Sequence, residues 1–261
     1  MSDVLEELTA ARRRDAALRE AEVPFAEMMR RAKAAPPPRD MAAKLGLAGS
    51  PRVIAELKRA SPSEGMIRED FRPVELAREL VAAGAAALSV LCEPHRFLGG
   101  EEYLRAVRGA VDVPILYKDF LSTRYQIAAA RAAGADVVLL IAAVLDDPTL
   151  KDLLDFARGL GLAALVETHD EDEIARAVQA GARIVGVNCR NLRNFSTDVS
   201  LLESLVGRIP RPCLRVAESG LHTAEAIRRA QAAGADGFLV GTALMRAERP
   251  GEKLKELLTN H

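Results

Sequence analysis

Six polar side chains each end an apolar stretch of this sequence, and together they could carry out acid–base chemistry. They are Glu56, Lys58, Lys118, Glu167, Asn188 and Glu218. Carboxylates and ammonium groups exchange protons with a substrate, whereas an amide binds a hydroxyl without changing charge. A single polar residue after an apolar run usually marks the entry of the chain into solvent. Six such residues form one site only if the fold gathers the ends of their elements.

The stretch 53-VIAELKRASPSEG-65 contains the first two of these residues. It begins as an apolar strand, in which successive side chains point to opposite faces, so Glu56 and Lys58 point the same way. A carboxylate and an ammonium on one face suit the mouth of a barrel that receives an anionic substrate. They could also form an interior ion pair that supports the fold, and the stretch alone favours that reading.

Two glycine-containing segments suit a phosphate group. The segment 218-ESGLHTAEAI-227 places Ser219 and Gly220 before a helix, and Gly241 and Thr242 begin another helix. A helix N-terminus offers free amides and partial positive charge, and Gly lets the backbone approach an oxyanion. Capping by Ser or Thr explains each segment alone, whereas the two together favour phosphate binding.

A near-repeat must position these side chains. It reads AGAAALSV, AGADVVLL, AGARIVGV and AGADGFLV, and its glycines, at spacings of 50, 47 and 53 residues, are Gly84, Gly134, Gly181 and Gly234. Each glycine follows an Ala-rich helical stretch and precedes an apolar run, as expected where a left-handed Gly closes a helix. Such spacings suit two strand–helix pairs, so a second strand lies between successive glycines.

The sequence therefore predicts eight strands separated by helices. They span residues 53–58, 86–91, 114–118, 136–141, 162–167, 184–188, 213–217 and 236–240. Strict alternation implies a parallel sheet, and eight units suggest an α/β fold closed into a (β/α)8 TIM barrel. An open doubly wound sheet is the alternative, although it commonly has fewer strands. In a barrel, the C-terminal strand ends form the active site, which would gather the six polar residues at one rim.

Residues 1–47 are predicted to form a helical extension of the barrel. Apolar residues punctuate charged sequence, which predicts one or two amphipathic helices followed by the turn 36-PPPRD-40. The basic run Arg12–Arg14 is interpreted as a solvated helix face. No shift in composition marks a separate unit, so we predict a single domain over residues 1–261, with the barrel at 48–261.

Composition restricts the partners of this chain. Its 36 Lys and Arg against 37 Asp and Glu give a formal net charge of −1, which provides no general attraction to nucleic acid or an anionic membrane. The apolar run 137-VVLLIAAVL-145 is much shorter than the roughly 20 residues that cross a bilayer. Cys92, Cys189 and Cys213 lie far apart, which argues against disulfides or a zinc site and fits a reducing cytoplasm.

Seven segments resemble the indole-3-glycerol phosphate synthase family of tryptophan biosynthesis. They are 54-IAELKRASPSEG-65, 88-LSVLCEPHRFLGG-100, 116-LYKDF-120, 166-VETHDEDE-173, 187-VNCRNL-192, 216-VAESG-220 and 239-LVGTALM-245. They occur in family order over nearly the whole chain. The resemblance implies a (β/α)8 barrel that uses no cofactor and no metal.

The resemblance also implies a reaction and a set of site residues. The family converts 1-(2-carboxyphenylamino)-1-deoxyribulose 5-phosphate to indole-3-glycerol phosphate, with loss of carbon dioxide and water. By their places in the motifs, the residues implied to be catalytic are Glu56, Lys58, Lys118, Glu167, Asn188 and Ser219. Those implied to line the substrate site are Ser61, Phe120, Arg190, Gly220, Gly241 and Thr242. Four residues depart from the common pattern without removing a catalytic group: Glu64, Cys92, Tyr117 and Cys189.

Ring closure requires an aniline carbon to attack the substrate ketone, whose oxygen then needs a proton. We expect Lys118 to supply it. Lys58 or Arg190 would lower its pKa from about 10.4 and the anions of the substrate would raise it, so the sequence leaves the net shift open. Lys58 would hold the carboxylate, and the two lysines could exchange roles. Glu167 would serve dehydration, and Glu56 would orient Lys58 or take the ring-nitrogen proton.

Two further residues complete the expected site. Asn188 would bind a substrate hydroxyl, and Phe120 would pack on the aniline ring and exclude water. We expect a cytoplasmic monomer with a small phosphorylated substrate and neither nucleic acid nor membrane as partner. Association with other tryptophan-pathway enzymes stays open.

Three other functions stay open from the sequence. One is a class I aldolase, in which Lys118 or Lys58 forms a Schiff base with a sugar phosphate. Another is an isomerase of similar architecture that acts on the preceding pathway intermediate. The third is a catalytically silent phosphate-binding barrel that serves as a subunit.

Overall fold

Eight parallel strands close into a barrel in the computed structural model, which describes residues 4–46, 52–190 and 199–258. Numbered in chain order, the barrel strands are β1 (Arg52–Leu57), β2 (Ala87–Leu91), β3 (Ile115–Lys118), β4 (Val137–Ile141), β5 (Ala163–Thr168), β6 (Ile184–Asn188), β7 (Leu214–Glu218) and β8 (Gly237–Val240). Each strand pairs with the next, and β8 pairs with β1, where Leu239 lies opposite Ile54. The predicted barrel is confirmed, and every strand end lies within one residue of its predicted position.

Twelve α-helices occur in the described residues. They are α1 (Val4–Glu22), α2 (Phe25–Ala34), α3 (Met41–Leu45), α4 (Pro73–Ala82), α5 (Glu101–Arg108), α6 (Arg124–Ala132), α7 (Asp147–Gly159), α8 (Glu171–Gln179), α9 (Val199–Val206), α10 (Ala224–Ala232), α11 (Thr242–Arg246) and α12 (Pro250–Leu258). A short antiparallel ribbon, Ala60–Ser61 with Gly65–Met66, follows β1, and a 3₁₀ turn follows β4. None of these helices combines the length and the apolar character that a membrane span requires.

Left-handed glycines explain the repeat in the sequence. Gly84, Gly134, Gly181 and Gly234 have φ values from 91° to 106° and end the helices that precede β2, β4, β6 and β8. A Cβ atom is disfavoured in this conformation, so glycine is the residue that closes the helix and starts the next strand. The predicted role of these glycines is confirmed.

Apolar side chains fill the interior of the barrel and lead up to its polar rim. The interior cluster includes Ile54, Leu116, Leu165 and Leu239, all buried. On β5, Glu167 follows Leu165 on the same face and lies where the strand reaches the rim. Alternation along a strand thus places apolar residues in the core and a carboxylate above them.

Helix α3 closes the end of the barrel at which the strands begin. Its Met41 and Leu45 are buried in the interior cluster, and Leu45 packs against Gly237 at the start of β8. Asp40 caps the helix by accepting a hydrogen bond from the Ala43 amide at 2.9 Å. The prediction of one or two N-terminal helices was incomplete, because five residues are too few to show a periodic pattern.

Helix α1 lies at the opposite end, where the strands finish. The guanidinium of Arg12 donates hydrogen bonds of 2.8 to 3.0 Å to both carboxylate oxygens of Asp119, directly after β3. The neighbouring Arg13 donates to Ser122 at 3.2 Å. The interpretation of this basic run as a solvated face was therefore wrong for Arg12, whose partner is 107 residues away in the chain.

Candidate active site

One cleft at the C-terminal ends of the barrel strands contains every residue that the sequence predicted to act on a substrate. Its lining includes Glu56, Lys58, Ser61, Lys118, Phe120, Glu167, Asn188, Arg190, Ser219, Gly220, Gly241 and Thr242. These residues come from the ends of β1, β3, β5, β6, β7 and β8 or from the loops that follow them. The predicted convergence on one rim is confirmed as a matter of geometry.

Lys118 occupies the centre of a charged cluster. Its Nζ atom lies 3.0 Å from Oε2 of Glu167 and 2.8 Å from Oε2 of Glu218. Asn188 donates a hydrogen bond of 3.0 Å to the other oxygen of Glu167, Oε1. Two buried carboxylates from different strands thus share one ammonium, and an amide orients one of them.

The charges around Lys118 determine the direction in which its pKa shifts. Burial by itself lowers the pKa of an ammonium, but the negative charges of Glu167 and Glu218 outweigh burial and raise the pKa of Lys118. The sequence left the net shift of this pKa open, and the structure decides its direction, because two carboxylates contact the ammonium. Without substrate, Lys118 is therefore a charged ammonium that is held by two carboxylates.

The two carboxylates that share Lys118 differ in acidity. Burial raises the pKa of both, but Lys118 and then His169 bring the pKa of Glu167 below its ordinary value. For Glu218, burial is again the largest influence. Lys118 opposes it and Glu167 reinforces it, which raises the pKa of Glu218 to about 7. Lys118 therefore lies between Glu167, which ionises readily, and Glu218, which holds a proton up to about neutral pH. Two neighbouring carboxyl groups of different acidity suit proton transfer.

Glu218 is the one polar strand end to which the resemblance assigned no role. Gly186 on β6 makes room for it, because a Cβ atom there would lie 2.1 Å from Oε1 of Glu218. Glycine inside an apolar strand often marks a close approach of another group. The glycine in the strand IVGVN was therefore the sequence signal that could have identified Glu218.

Glu56 and Lys58 form an ion pair at the same rim. Oε1 of Glu56 lies 2.8 Å from Nζ of Lys58, and both side chains line the cleft. Burial raises the pKa of Glu56, but Lys58 and Lys118 bring it below its ordinary value. A Cβ atom at Gly241 would lie 2.4 Å from Oε1 of Glu56, so glycine is needed beside it. Glu56 and Lys58 therefore form an ion pair that faces the barrel mouth and not the interior.

The loops after β7 and β8 bring backbone amides to one wall of the cleft. Ser219 and Gly220 have φ values of 68° and 71°, so two consecutive residues adopt the left-handed conformation. For Ser219, which has a Cβ atom, this conformation costs about 1–2 kcal/mol. Gly241 precedes α11 without a side-chain cap, and the first-turn amides of Thr242 and Ala243 have no partner within the helix.

Apolar side chains form another wall of the cleft. The rings of Phe97 and Phe120 lie 6.1 Å apart between centroids, and Ile141 and Leu239 line the cleft beside them. Phe97, in the loop after β2, was not assigned by the sequence. An apolar wall with aromatic rings suits the packing of a flat aromatic substrate.

The part of the chain that the structure describes contains no group of three or more His, Cys, Asp or Glu arranged to hold a metal ion. Cys92, Cys189 and Cys213 are all buried. The Cys189 thiol donates to the carbonyl of Ser219 at 3.4 Å, next to the loop after β7. Burial raises the pKa of Cys92, which keeps this thiol protonated.

Comparison with known protein families shows to which family this chain belongs. The family model described as indole-3-glycerol phosphate synthase matches residues 5–257. The chain belongs to the indole-3-glycerol phosphate synthase family. A family member from Albidiferax ferrireducens is 45% identical over 260 residues, which cover 98% of each chain. Another, from Campylobacter jejuni subsp. doylei, is 50% identical over 207 residues, covering 79% of this chain and 80% of that one.

Solved structures of other proteins share the fold alone. A thiamine phosphate pyrophosphorylase from Pyrococcus furiosus has a TM-score of 0.61 at 19% identity, over 84% of this chain and 96% of that one. An N-acetylmannosamine-6-phosphate 2-epimerase from Clostridium perfringens has a TM-score of 0.62 at 18% identity, over 82% and 93% of the two chains. These similarities extend to the barrel and do not bear on the reaction.

Glu64 departs from the common indole-3-glycerol phosphate synthase pattern, and the structure gives it two cationic partners. Its Oε1 lies 3.5 Å from Nη2 of Arg190, after β6, and its Oε2 contacts Arg246 on α11. The Glu64 amide also donates to Ser61 at 3.2 Å. A carboxylate of the loop after β1 therefore links that loop to the residue that follows β6 and to α11 through two guanidinium groups.

Proposed function

We propose that this protein is an indole-3-glycerol phosphate synthase, a carbon–carbon lyase of tryptophan biosynthesis. It converts 1-(2-carboxyphenylamino)-1-deoxyribulose 5-phosphate to indole-3-glycerol phosphate and releases carbon dioxide and water. The observation that carries the proposal is the position of Lys118 between Glu167 and Glu218, in a chain that belongs to this family. An ammonium and two carboxylates of different acidity at one rim provide the proton donors and acceptors that the reaction needs.

The substrate has an aromatic ring, a carboxylate and a phosphate, and the cleft offers a complement to each. The ring packs on Phe120 in the apolar wall. The carboxylate binds Lys58, with Ser61 and Arg190 near it. The phosphate binds the loops after β7 and β8, through Ser219 and Gly220 on one loop and Gly241 and Thr242 on the other. The carboxylate and the phosphate of the substrate thus lose water only where a cation or a backbone amide of the protein takes its place.

Lys118 protonates the ketone oxygen during ring closure. As the ring carbon attacks, the ketone oxygen becomes a strongly basic alkoxide, and the ammonium transfers its proton as that charge develops. Glu167 and Glu218 keep the ammonium charged and in place between turnovers. The raised pKa of Lys118 therefore preserves a proton that is released only to a strong base.

Decarboxylation and dehydration complete the reaction. Lys58 holds the carboxylate until carbon dioxide departs and the benzene ring regains aromaticity. Loss of water then needs a proton on the departing hydroxyl. Once Lys118 has given up its proton, the main charge that lowers the pKa of Glu167 is gone and burial raises it, so Glu167 can hold a proton and deliver it while Asn188 binds the hydroxyl. Glu56, held by Lys58, accepts the proton that the new five-membered ring releases. The carbon–oxygen bond breaks as the carbon–carbon double bond of the indole forms.

Indole fluorescence tests the proposed function. The chain has no Trp and three Tyr, so product emission stands above a low protein background. Unmodified protein mixed with the carboxyphenylamino substrate should give indole emission and one equivalent of carbon dioxide. Absence of both would refute the proposal. Borohydride trapping of a covalent lysine adduct would instead favour the aldolase, and turnover of the preceding intermediate would favour the isomerase.

The proposal places the enzyme in the cytoplasm as a monomer. Three buried cysteines suit a reducing compartment. All groups assigned to substrate binding come from one chain, so neither a second copy nor another tryptophan-pathway enzyme is needed to complete the cleft. Light scattering after gel filtration should give a mass near 28.1 kDa, and a mass twice as large would contradict the monomer.

A further inference from the structure

His169, directly after β5, places a buried ring nitrogen beside an active-site carboxylate. Its Nε2 atom lies 3.6 Å from Oε1 of Glu167, and the two side chains are 18% and 3% exposed. This distance suits an ion pair and exceeds that of a hydrogen bond. Within the described residues, Nε2 is buried and has no hydrogen-bond partner. A buried ring nitrogen in this state is available to exchange a proton with the neighbouring carboxylate.

The other side of the imidazole ring is fixed by Glu173 on α8. Oε2 of Glu173 accepts a hydrogen bond of 2.8 Å from the His169 amide and lies 3.2 Å from the Nδ1 atom of the ring. A carboxylate at Nδ1 keeps a proton on that nitrogen and sets the orientation of the ring. Nε2 is thereby left facing Glu167.

Carboxylates from three elements face this imidazole. They are Glu173 on α8, Glu167 on β5 and Glu218 on β7. Burial lowers the pKa of His169, but the hydrogen bond to Glu173 and the negative charges of all three carboxylates prevail and raise it above 6.5. The imidazolium therefore persists to higher pH than that of an ordinary histidine, and its Nε2 proton is directed at Glu167.

Glu167 has few routes by which to regain a proton. Its side chain is buried, Asn188 occupies Oε1, and Lys118 occupies Oε2. Lys118 supplies its own proton to the ketone oxygen in the proposed reaction. The His169 ring is partly exposed although its Nε2 atom is buried, so the ring lies between the buried carboxylate and solvent, on a path that does not use Lys118.

We infer that His169 is a positioning residue that returns protons to Glu167, with Glu173 holding its ring. This inference rests on the proposed function, in which Glu167 gives a proton to the departing hydroxyl. The carbon–oxygen bond breaks, water leaves and Glu167 becomes a carboxylate. While Lys118 is still neutral, burial raises the pKa of Glu167, so Nε2 of His169 passes its proton to that carboxylate, and the neutral imidazole then regains a proton from solvent. The proton released by the new ring goes to Glu56, so the step is balanced.

Kinetics of the full-length protein with the carboxyphenylamino substrate test the relay. His169→Gln keeps an amide near Glu167 but cannot transfer a proton. It should lower kcat by about tenfold to a hundredfold, leave KM within about twofold, and remove the alkaline limb that deprotonation of His169 gives to the pH profile of kcat. Glu173→Gln should move that limb to lower pH without abolishing it. A purely structural role would not produce this pair of effects.

A matched control and a spectroscopic measurement complete the design. His95→Gln alters a half-exposed histidine paired with Asp15 and should change neither kcat nor its pH profile. The ring nitrogens of His169, followed by NMR in the unmodified protein, should titrate above 6.5, and in Glu173→Gln they should titrate at lower pH. This measurement keeps the inference testable if His169→Gln does not fold.

The possible failures can be told apart. No product from the unmodified protein would overturn the proposed function and the relay with it. Product formation together with an unchanged pH profile in His169→Gln would overturn the relay alone. A ring titration of His169 that is unaffected by Glu173→Gln would also overturn it.

Discussion

The ammonium of Lys118 and the carboxylate of Glu218 form an ion pair of 2.8 Å between residues 100 positions apart in the chain. The barrel brings them together because parallel strands end at one rim, where β3 and β7 face each other across the opening. Glu167 contacts the same ammonium from β5 at 3.0 Å. Gly186 packs against Glu218 in this cluster of Lys118, Glu167 and Glu218. A substitution at Gly186 should therefore change kcat more than it changes the free energy of unfolding.

Gly186→Ala should disturb the cluster without replacing a charged group. The added Cβ would lie 2.1 Å from Oε1 of Glu218 and 3.2 Å from Cδ1 of Leu165, so the carboxylate must shift, which disturbs the contact of its other oxygen with Lys118. We expect kcat to fall by about tenfold or more, because the Lys118 proton is no longer held in place. Gly159→Ala is the matched control, since a Cβ atom there has no neighbour within 4 Å. Equal kcat in the two variants would contradict the prediction.

Glu218→Gln should become relatively more stable as pH rises. The pKa of Glu218 in the folded protein, about 7, lies above its ordinary 4.5, so the folded state binds this proton more tightly than the unfolded chain. The resulting stabilisation is complete below the ordinary pKa and is lost as pH rises through about 7. Removing the carboxylate should therefore raise the free energy of unfolding, relative to the unmodified protein, by roughly 2 kcal/mol between about pH 5 and pH 8.

Urea unfolding at both pH values measures this difference. Glu20→Gln, at an exposed position on α1, serves as the control and should show no such gain. A Glu218→Gln variant that loses stability at alkaline pH would show that the ionised carboxylate is favoured in the fold.

Arg12→Ala should destabilise the protein by detaching α1 from the rim. Arg12 is the cation that contacts the fully buried carboxylate of Asp119, whose pKa burial raises even beside the guanidinium. Removing one partner of a buried pair costs about 3 kcal/mol, because the other is left uncompensated. Urea unfolding should detect this loss, while Arg14→Ala, at an exposed position, should stay within about 0.5 kcal/mol. Similar stabilities for the two variants would mean that Arg12 does not anchor the helix.

Glu167→Gln should separate the two halves of the reaction. The amide can keep a hydrogen bond with its neighbours but cannot deliver a proton to the departing hydroxyl. Carbon dioxide release, which precedes dehydration, should continue, whereas indole emission should slow by about a hundredfold or more. Parallel rapid measurements of both products check this. The account of dehydration fails if both products slow equally, and Glu171→Gln, an exposed residue of α8, controls for general effects.

Much of the fold could be read from the sequence because its signals are local. A left-handed Gly after a helix and an apolar run after that Gly locate β2, β4, β6 and β8 directly, and the remaining strands fit between them. Polar residues at strand ends located the rim for the same reason. Helix α3 was missed because a five-residue helix is defined by its burial under the barrel rather than by a periodic pattern.

The electrostatics of the site could not be read from the sequence, because they depend on distances between remote residues. Lys118 has a raised pKa since two carboxylates lie within 3.0 Å of its Nζ atom, whereas the motifs alone drew attention to the nearby cations. The local sequence around Arg12 is typical of a solvated helix face, whereas its partner Asp119 is remote in the chain. Proximity of this kind follows from closure of the barrel and not from any local pattern.

The central claim is that Lys118 donates the proton that drives ring closure, and the turnover of Lys118→Ala measured by indole fluorescence tests it most directly. We predict a fall in kcat of about a thousandfold or more, with product still bound and the circular dichroism spectrum unchanged. Lys151→Ala, which removes an exposed lysine paired with Asp155, should retain normal turnover. A Lys118→Ala variant that turns over within about tenfold of the unmodified protein would contradict the account.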